Sequence, residues 1–351
     1  MKLIRVYAVW ITIIFAVLIG FSLVLGRSNP HDIVAFQSNY EGDDEIYIAD
    51  LTVGFVRNLT HDPITLNQNP LWSPDGRYIM SVSKEAGWTT YVRDVITGET
   101  RKLFEDGHGL RRAWSPDARW LAYIDDVGSL TGGKSGLYLM NMLSGDVRLL
   151  TDQIITRSRP FWSPDSQKIA FVSYNQRLNF PIHIIDISSG TINDLSNNSK
   201  GLVTQDAISW SPDNRQIVYT MGSGANVSLY ITDIETGHIK RIGNHIGFDA
   251  LDDVPAWSPD GRQIAFQSYR DKSRGLYLVD VATGETRFLT RTDGRLNPLW
   301  SPTGRMLGFS LTDIYTDVYV IDVETGKTTL VWNSPGDKSN LAWSPPWQFG
   351  G

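Results

Sequence analysis

The sequence predicts an all-β fold: a seven-bladed β-propeller of four-stranded blades, preceded by one N-terminal transmembrane helix. Three observations carry this. A pentapeptide recurs as Trp72-Ser73-Pro74-Asp75-Gly76, Trp114-Ser115-Pro116-Asp117, Trp162-Ser163-Pro164-Asp165, Trp210-Ser211-Pro212-Asp213 and Trp257-Ser258-Pro259-Asp260-Gly261. It then decays to Trp300-Ser301-Pro302-Thr303-Gly304 and Trp343-Ser344-Pro345. Successive tryptophans are 42, 48, 48, 47, 43 and 43 residues apart, within the range of repeats that build solenoids and propellers. Between the pentapeptides lie short β-branched and aromatic runs bounded by turn residues, which read as strands. No stretch has the 3.6-residue apolar period that a helical repeat needs.

Each element of the repeat has a physical reason. Proline presets φ at the second turn position, Asp suits the third, and Gly accepts a positive φ, so the pentapeptide is a turn with Trp on the strand before it. A second strand follows, such as Lys168-Ile169-Ala170-Phe171-Val172-Ser173. A third runs through Tyr91, Tyr138, His183, Tyr230, Tyr277 or Tyr319 and ends at Asp94, Asn141, Asp186, Asp233, Asp280 or Asp322. Two residues later a Thr-Gly or Ser-Gly pair opens a hairpin into the fourth strand.

The strand count sets the number of blades. The chain enters its repeats at a second strand, Ile33-Val34-Ala35-Phe36, and leaves at a first strand, Asn340-Leu341-Ala342-Trp343. Seven Trp strands and seven sets of the other three, offset by one unit, close into a ring when the two ends share a blade. Closure removes the free strand edges that template aggregation.

Ahead of the repeats, Val6 to Leu25 contains no charge over twenty residues, and Lys2 and Arg5 precede it. Twenty residues at roughly 1.5 Å each match the bilayer core of about 30 Å. The run is longer than a signal-peptide centre and ends in a poor cleavage site, Leu25-Gly26-Arg27. The expected organisation is a cytoplasmic N-terminus over 1–5, a signal-anchor helix over 6–25, a linker over 26–31, the propeller over 32–346 and a tail over 347–351. The basic residues ahead of the span keep the N-terminus inside, so the propeller is expected outside the cytoplasm on a single-pass anchor. Export as a soluble protein after signal cleavage is the alternative.

Composition excludes some classes. The net charge of −6 and pI near 5.5 leave no basic stripe, so no nucleic-acid partner is expected. Cysteine is absent, which removes thiolate metal sites and cysteine nucleophiles. No Gly-x-Ser-x-Gly elbow, phosphate-binding glycine loop or His-Glu-x-x-His stretch occurs in the propeller. No cofactor, metal or catalytic residue is assigned.

The unit Trp-Ser-Pro-Asp-Gly-x-x-Ile-Ala-Phe followed by Tyr-x-x-Asp-x-x-Thr-Gly resembles the WD-type repeat of the TolB-like β-propeller family. Similar repeats occur in the propeller domains of prolyl oligopeptidase and dipeptidyl-peptidase relatives. The resemblance covers about residues 32–346. It departs from TolB itself in lacking the N-terminal α/β domain, in its count of seven blades against the family's six, and in retaining a membrane segment. The peptidases carry their chemistry on a separate hydrolase domain, so their catalytic residues have no positions here.

Function on such a ring belongs to loops and to the channel mouth. The tryptophans Trp72, Trp114, Trp162, Trp210, Trp257, Trp300 and Trp343 read as structural, packing between blades, and the turn aspartates as hydrogen-bonded within their own turns. If the Trp strand is innermost, the residues three positions earlier line the mouth: Asn69, Arg111, Arg159, Ala207, Val254, Asn297 and Asn340, with Arg112, Asp206 and Asp253 beside them. Arginines and asparagines there could receive a peptide terminus or an acidic side chain, Arg as the bidentate partner; the plainer reading is a solvated rim.

The reading is therefore a membrane-anchored, extracytoplasmic, non-enzymatic module that binds or scaffolds a protein or peptide of the cell envelope. Two alternatives stay open. One is a hydrolase or lyase at the channel mouth, which would need His61, His108 and His245 to converge with Asp206 or Asp253. The other is a non-catalytic propeller subunit of a peptidase-like complex.

Overall fold

In the computed structural model, described residues run from 33 to 345, apart from 62–65, 85–87, 106–110, 126–135, 153–158, 174–180, 196–201, 224–225, 244–250, 271–272, 293–295 and 313–315. The expected membrane span at 6–25 lies outside the described residues. Among the described residues there is no helix; the secondary structure is strand and turn.

Alternation of apolar residues with short polar ones produces 28 strands, which pair antiparallel in sequence order within each blade. Blade 2 comprises Leu66–Trp72, Tyr78–Lys84, Trp88–Asp94 and Thr100–Glu105, and blade 3 comprises Arg112–Trp114, Trp120–Asp125, Gly136–Asn141 and Val147–Thr151. Blade 4 begins at Phe161–Trp162, blade 5 at Leu202–Trp210, blade 6 at Leu251–Trp257 and blade 7 at Leu299–Trp300. Blade 1 is composite: the last strand, Lys338–Trp343, pairs with the first, Ile33–Ser38, placing Ala342 opposite Ala35 and Trp343 opposite Val34. Blades 5 and 6 join into one eight-stranded sheet by a single parallel bridge, Val227 to Leu251.

The Trp strand is innermost. Fourth strands such as Thr100–Glu105 and Thr286–Arg291 are largely solvent-exposed, whereas second strands such as Ile33–Ser38 are buried throughout. Inner strands therefore run from one rim, where blades connect, to the other, where the pentapeptide turns lie.

The core is divided among the seven seams between blades. At the seam of blades 4 and 5, for example, Phe161, Ile182 and Ile184 pack on Trp210, Ile217 and Tyr219. Six blades also stack an aromatic ring of the second strand on a ring of the third, such as Phe266 on Tyr277 at 5.8 Å and Phe36 on Tyr47 at 5.8 Å. In blade 4 that partner is His183, 5.2 Å from Phe171. Blade 2 has Ser81 opposite Tyr91 in this place.

Closure of the ring also uses a buried cation. Lys338 is 1% exposed, and its Nζ donates to Asp317 Oδ1 at 2.8 Å and to the Ser334 and Gly336 carbonyls at 2.6 and 3.0 Å. A charge withdrawn from water persists only when paired and hydrogen-bonded, and this one ties the inner strand of blade 1 to blade 7.

Candidate functional site: the two rims of the ring

The turn rim closes upon itself. In each Trp-Ser-Pro-Asp turn the Ser Oγ donates to the Asp Oδ1, at 2.5–2.6 Å in five blades. The same Ser Oγ accepts the N–H five residues on, from Tyr78, Trp120, Lys168, Gln216 or Gln263. The turn's last residue is left-handed, with φ of 73° at Gly76, 59° at Ala118, 61° at Ser166 and 62° at Asn214. These aspartates are turn-forming groups in the structure.

The hairpins on the same rim follow a second rule. Each Asp accepts main-chain N–H groups two and three residues on, as Asp322 does from Glu324 and Thr325. The Thr325 N–H and then the Arg305 guanidinium hold the Asp322 carboxyl at about 2, below the usual range. Hydrogen bonds from Ser188 and Ser189 do the same for Asp186, also to about 2.

At the opposite rim, three of the seven positions preceding Trp by three residues are left-handed: Asn69 at φ 54°, Val254 at 44° and Asn340 at 53°. Each accompanies a register shift against the neighbouring strand, so the inner strand is bulged at its start. Asn tolerates that conformation better than most L-residues, which accounts for two of the asparagines.

Asn69 and Asn340 converge on one group. The Asn340 Nδ2 donates to Gln37 Oε1 at 2.8 Å, and the Asn69 N–H reaches the same oxygen at 3.3 Å. Asn340 and Asn297 are exposed, Asn69 half-buried. Arg159 is exposed with its guanidinium 5.1 Å from the centre of the Phe161 ring, and Arg111 is half-buried. Asp253 is half-buried and accepts the N–H of Val254 at 2.9 Å.

Arg112 differs from the expectation of a mouth residue. It is 7% exposed, and its Nη1 donates to the Thr90 hydroxyl of blade 2. Alternation along the strand turns neighbouring side chains to opposite faces, so Arg112 faces the preceding blade. The backbone of Asp206 lies in the inner strand of blade 5, and its side chain is outside the described residues. His108 and His245 likewise fall outside, while His61 sits 3.9 Å from the Glu41 carboxylate. Among the described residues no three metal-ligating side chains gather.

Sequence reasoning passed over Gln37, Gln267 and Lys338. Gln267 is buried, donates to the Thr292 hydroxyl at 3.2 Å and accepts the Leu296 N–H at 3.3 Å, so a glutamine organises the rim connection there. The available signal was a glutamine on a second strand where other blades carry Val82, Ile124 or Val172.

Residues 152–294 match the family model of the TolB beta propeller domain. A TolB homolog of Chlorobium chlorochromatii (strain CaD3) is 30% identical over 141 residues, covering 40% of this chain and 31% of that protein. The chain thus spans less than a third of that relative's length. The crystal structure of TolB from Acinetobacter baumannii superposes with a TM-score of 0.56 at 18% identity, over 90% of this chain and 83% of that one. An oligogalacturonate lyase from Vibrio parahaemolyticus superposes with a TM-score of 0.65 at 12% identity, over 85% of each chain. Likeness at these identities is likeness of fold. Residues 152–294 therefore carry repeats similar to those of the TolB β-propeller domain, and the ring as a whole shares its fold with these structures.

Proposed function

We propose that this protein is a membrane-anchored binding module whose propeller holds a protein or peptide at the rim where the inner strands begin. The observation that carries the reading is the contrast between the rims. Turn-rim aspartates and serines are consumed by bonds within their own turns. The other rim presents Arg159, Asn297 and Asn340 exposed and Arg111 half-buried, all from the starts of inner strands. Guanidinium and amide groups held on a rigid ring suit carboxylates and main-chain groups of a partner.

The charge-free run at 6–25 supports a single-pass anchor with the propeller on the extracytoplasmic side. Likeness to an oligogalacturonate lyase at 12% identity is likeness of fold, which does not fix activity, and a non-enzymatic reading is the one adopted.

Cross-linking in intact cells tests the proposal, comparing wild type with an Arg111→Ala/Arg159→Ala variant. A discrete protein captured by wild type and lost from the folded variant is the expected result. Capture by both moves the site away from this rim, and capture by neither removes the binding reading.

A further inference from the structure

One seam on the turn rim departs from the rest. Three kinds of hydrogen bond cross the seams near this rim, each from a donor on one blade to a group on its neighbour. In the first kind, a Trp indole N–H donates to the carbonyl preceding the previous blade's Trp. Trp162 reaches Ala113, Trp210 reaches Phe161, Trp300 reaches Ala256 and Trp343 reaches Leu299, all at 2.9–3.0 Å.

The second kind is an arginine at a fixed place on the fourth strand, which donates to the carbonyl in the next blade's hairpin. Arg57 reaches Val95 at 3.3 Å, Arg148 reaches Ile187 at 2.8 Å and Arg287 reaches Val323 at 2.7 Å. In the third kind, the last residue of the turn accepts the N–H of the previous blade's Asp: Ser166 from Asp117, Asn214 from Asp165. The seam of blades 5 and 6 has its own tie, from the Trp257 N–H to Ser209 Oγ at 3.0 Å.

Between blades 2 and 3 none of these is made. The Trp114 indole nitrogen is buried without a hydrogen-bond partner, in a residue 8% exposed. Arg101 stands in register with Arg57, Arg148 and Arg287, opposite Val92, and has no such bond to the hairpin carbonyl of blade 3. Ala118 occupies the place of Ser166 and Asn214 with no side-chain acceptor. Among the described residues the fully buried apolar cluster here is Met80, Val92, Trp114 and Leu121, with the Phe104 ring of blade 2 lying 5.4 Å from the Tyr123 ring of blade 3. A tie between these blades, Arg112 to Thr90, comes from near the start of the blade 3 inner strand.

A cleft of about 760 Å³ opens there, lined by Arg101, Trp114, Trp120, Tyr78, Met142 and Leu143 among others. Tyr78 and Trp120 hold a strand position that is Lys168, Gln216, Gln263 or Met306 in blades 4 to 7. Leu143 is 97% exposed and Ile96, in the same hairpin position of blade 2, is 53% exposed, where blades 4, 5 and 7 carry Ser188, Glu235 and Glu324.

We propose that this seam is a peptide-binding cleft, in which the main chain of an extended segment supplies the carbonyls that a neighbouring blade supplies elsewhere. Arg101 and Trp114 are the donors, because their counterparts at other seams donate to main-chain carbonyl oxygens. Leu143, on the cleft wall, receives an aliphatic side chain of the segment. The Arg101 guanidinium is exposed and meets a carbonyl directly, whereas the shielded Trp114 N–H is reached once lining side chains move aside. The cleft lies on the rim opposite the proposed partner site, so either can fail while the other stands.

The test pans a random dodecapeptide display library on the full-length protein and measures the enriched peptides by fluorescence anisotropy. Arg101→Met and Trp114→Phe are each expected to weaken binding at least tenfold, about 1.4 kcal/mol. Leu143→Asp should weaken it too, and Ala118→Asn should exclude the peptide by restoring the turn tie. Arg287→Met, which removes a tie at a closed seam, should leave binding unchanged. Leu143 and Arg101 are exposed, so their variants keep the fold. The proposal is overturned if no peptide is enriched, if enriched peptides ignore Arg101→Met and Trp114→Phe, or if a glycan probe rather than a peptide is the ligand those substitutions affect.

Discussion

The indole N–H of Trp210 donates to the carbonyl of Phe161 in the preceding blade, at 3.0 Å and out of contact with water. Trp114, equivalent in sequence and equally buried, makes no such bond. The repeated Trp thus has two jobs, filling the seam with its ring and fastening it with its nitrogen, and Trp114 performs only the first.

Substitution separates the two. Trp210→Phe and Trp114→Phe remove similar ring area, but only the first removes a hydrogen bond, worth about 0.5–1.5 kcal/mol. Urea unfolding midpoints should therefore fall further for Trp210→Phe. Equal losses would show that the indole bond contributes nothing.

Acid stability should depend on the hairpin aspartates. Asp186 and Asp322 titrate at about 2 in the folded chain, below the unfolded value near 3.9. A carboxyl depressed in this way stabilises the fold above about pH 4, and that contribution disappears as pH falls toward 2. Asn141, in the matching hairpin of blade 3, accepts the N–H groups of Leu143 and Ser144 at 2.9 and 3.0 Å, so an amide can serve the turn. The Asp186→Asn/Asp322→Asn variant should lose less stability than wild type between pH 4 and 2. Parallel curves would refute this.

His183 should make stability sensitive to milder acid. Burial holds its pKa below the usual 6.5, partly offset by Asp194 across the hairpin, and its Nε2 lies 2.8 Å from Ser173 Oγ. The unfolded chain then binds a proton at a pH where the folded chain does not, so stability declines as pH falls below about 6.5. His183→Tyr installs the ring that other blades stack on Phe266 or Phe309 and should abolish the decline between pH 6.5 and 5. A decline that persists in the variant would place its origin elsewhere.

Backbone strain at the channel mouth is open to the same kind of comparison. Asn340 holds φ at 53° with its side chain exposed. Asn340→Val forces a β-branched residue into that region at a cost of about 1–3 kcal/mol, which Asn340→Gly escapes. Calorimetry should show the valine variant melting several degrees lower than the glycine variant. Identical melting temperatures would mean that the bulge relaxes freely.

Much of the ring was readable before any contact was known. Proline, Asp and Gly at fixed spacing specify a turn locally, and the spacing repeats, so strand order, blade count and the pairing of Ile33–Ser38 with Lys338–Trp343 follow from local chemistry and topology. The offset to Trp puts Asn69, Arg159, Asn297 and Asn340 at or just before the inner strands, but the turning of Arg112 into the neighbouring blade and the convergence of Asn69 and Asn340 on Gln37 are not legible in it.

The sequence by itself determined which residues bend, which pair and how many blades close, because those depend on neighbours within one repeat. Only the tertiary structure decided which seams are fastened. Trp114 and Trp210 stand in the same motif, and Arg101 and Arg148 in the same register, yet whether each finds a carbonyl depends on how two blades separated by a whole repeat lean against one another. Hydrogen bonds across a seam are set by sub-ångström fit between surfaces, and no residue pattern within a single repeat encodes that distance.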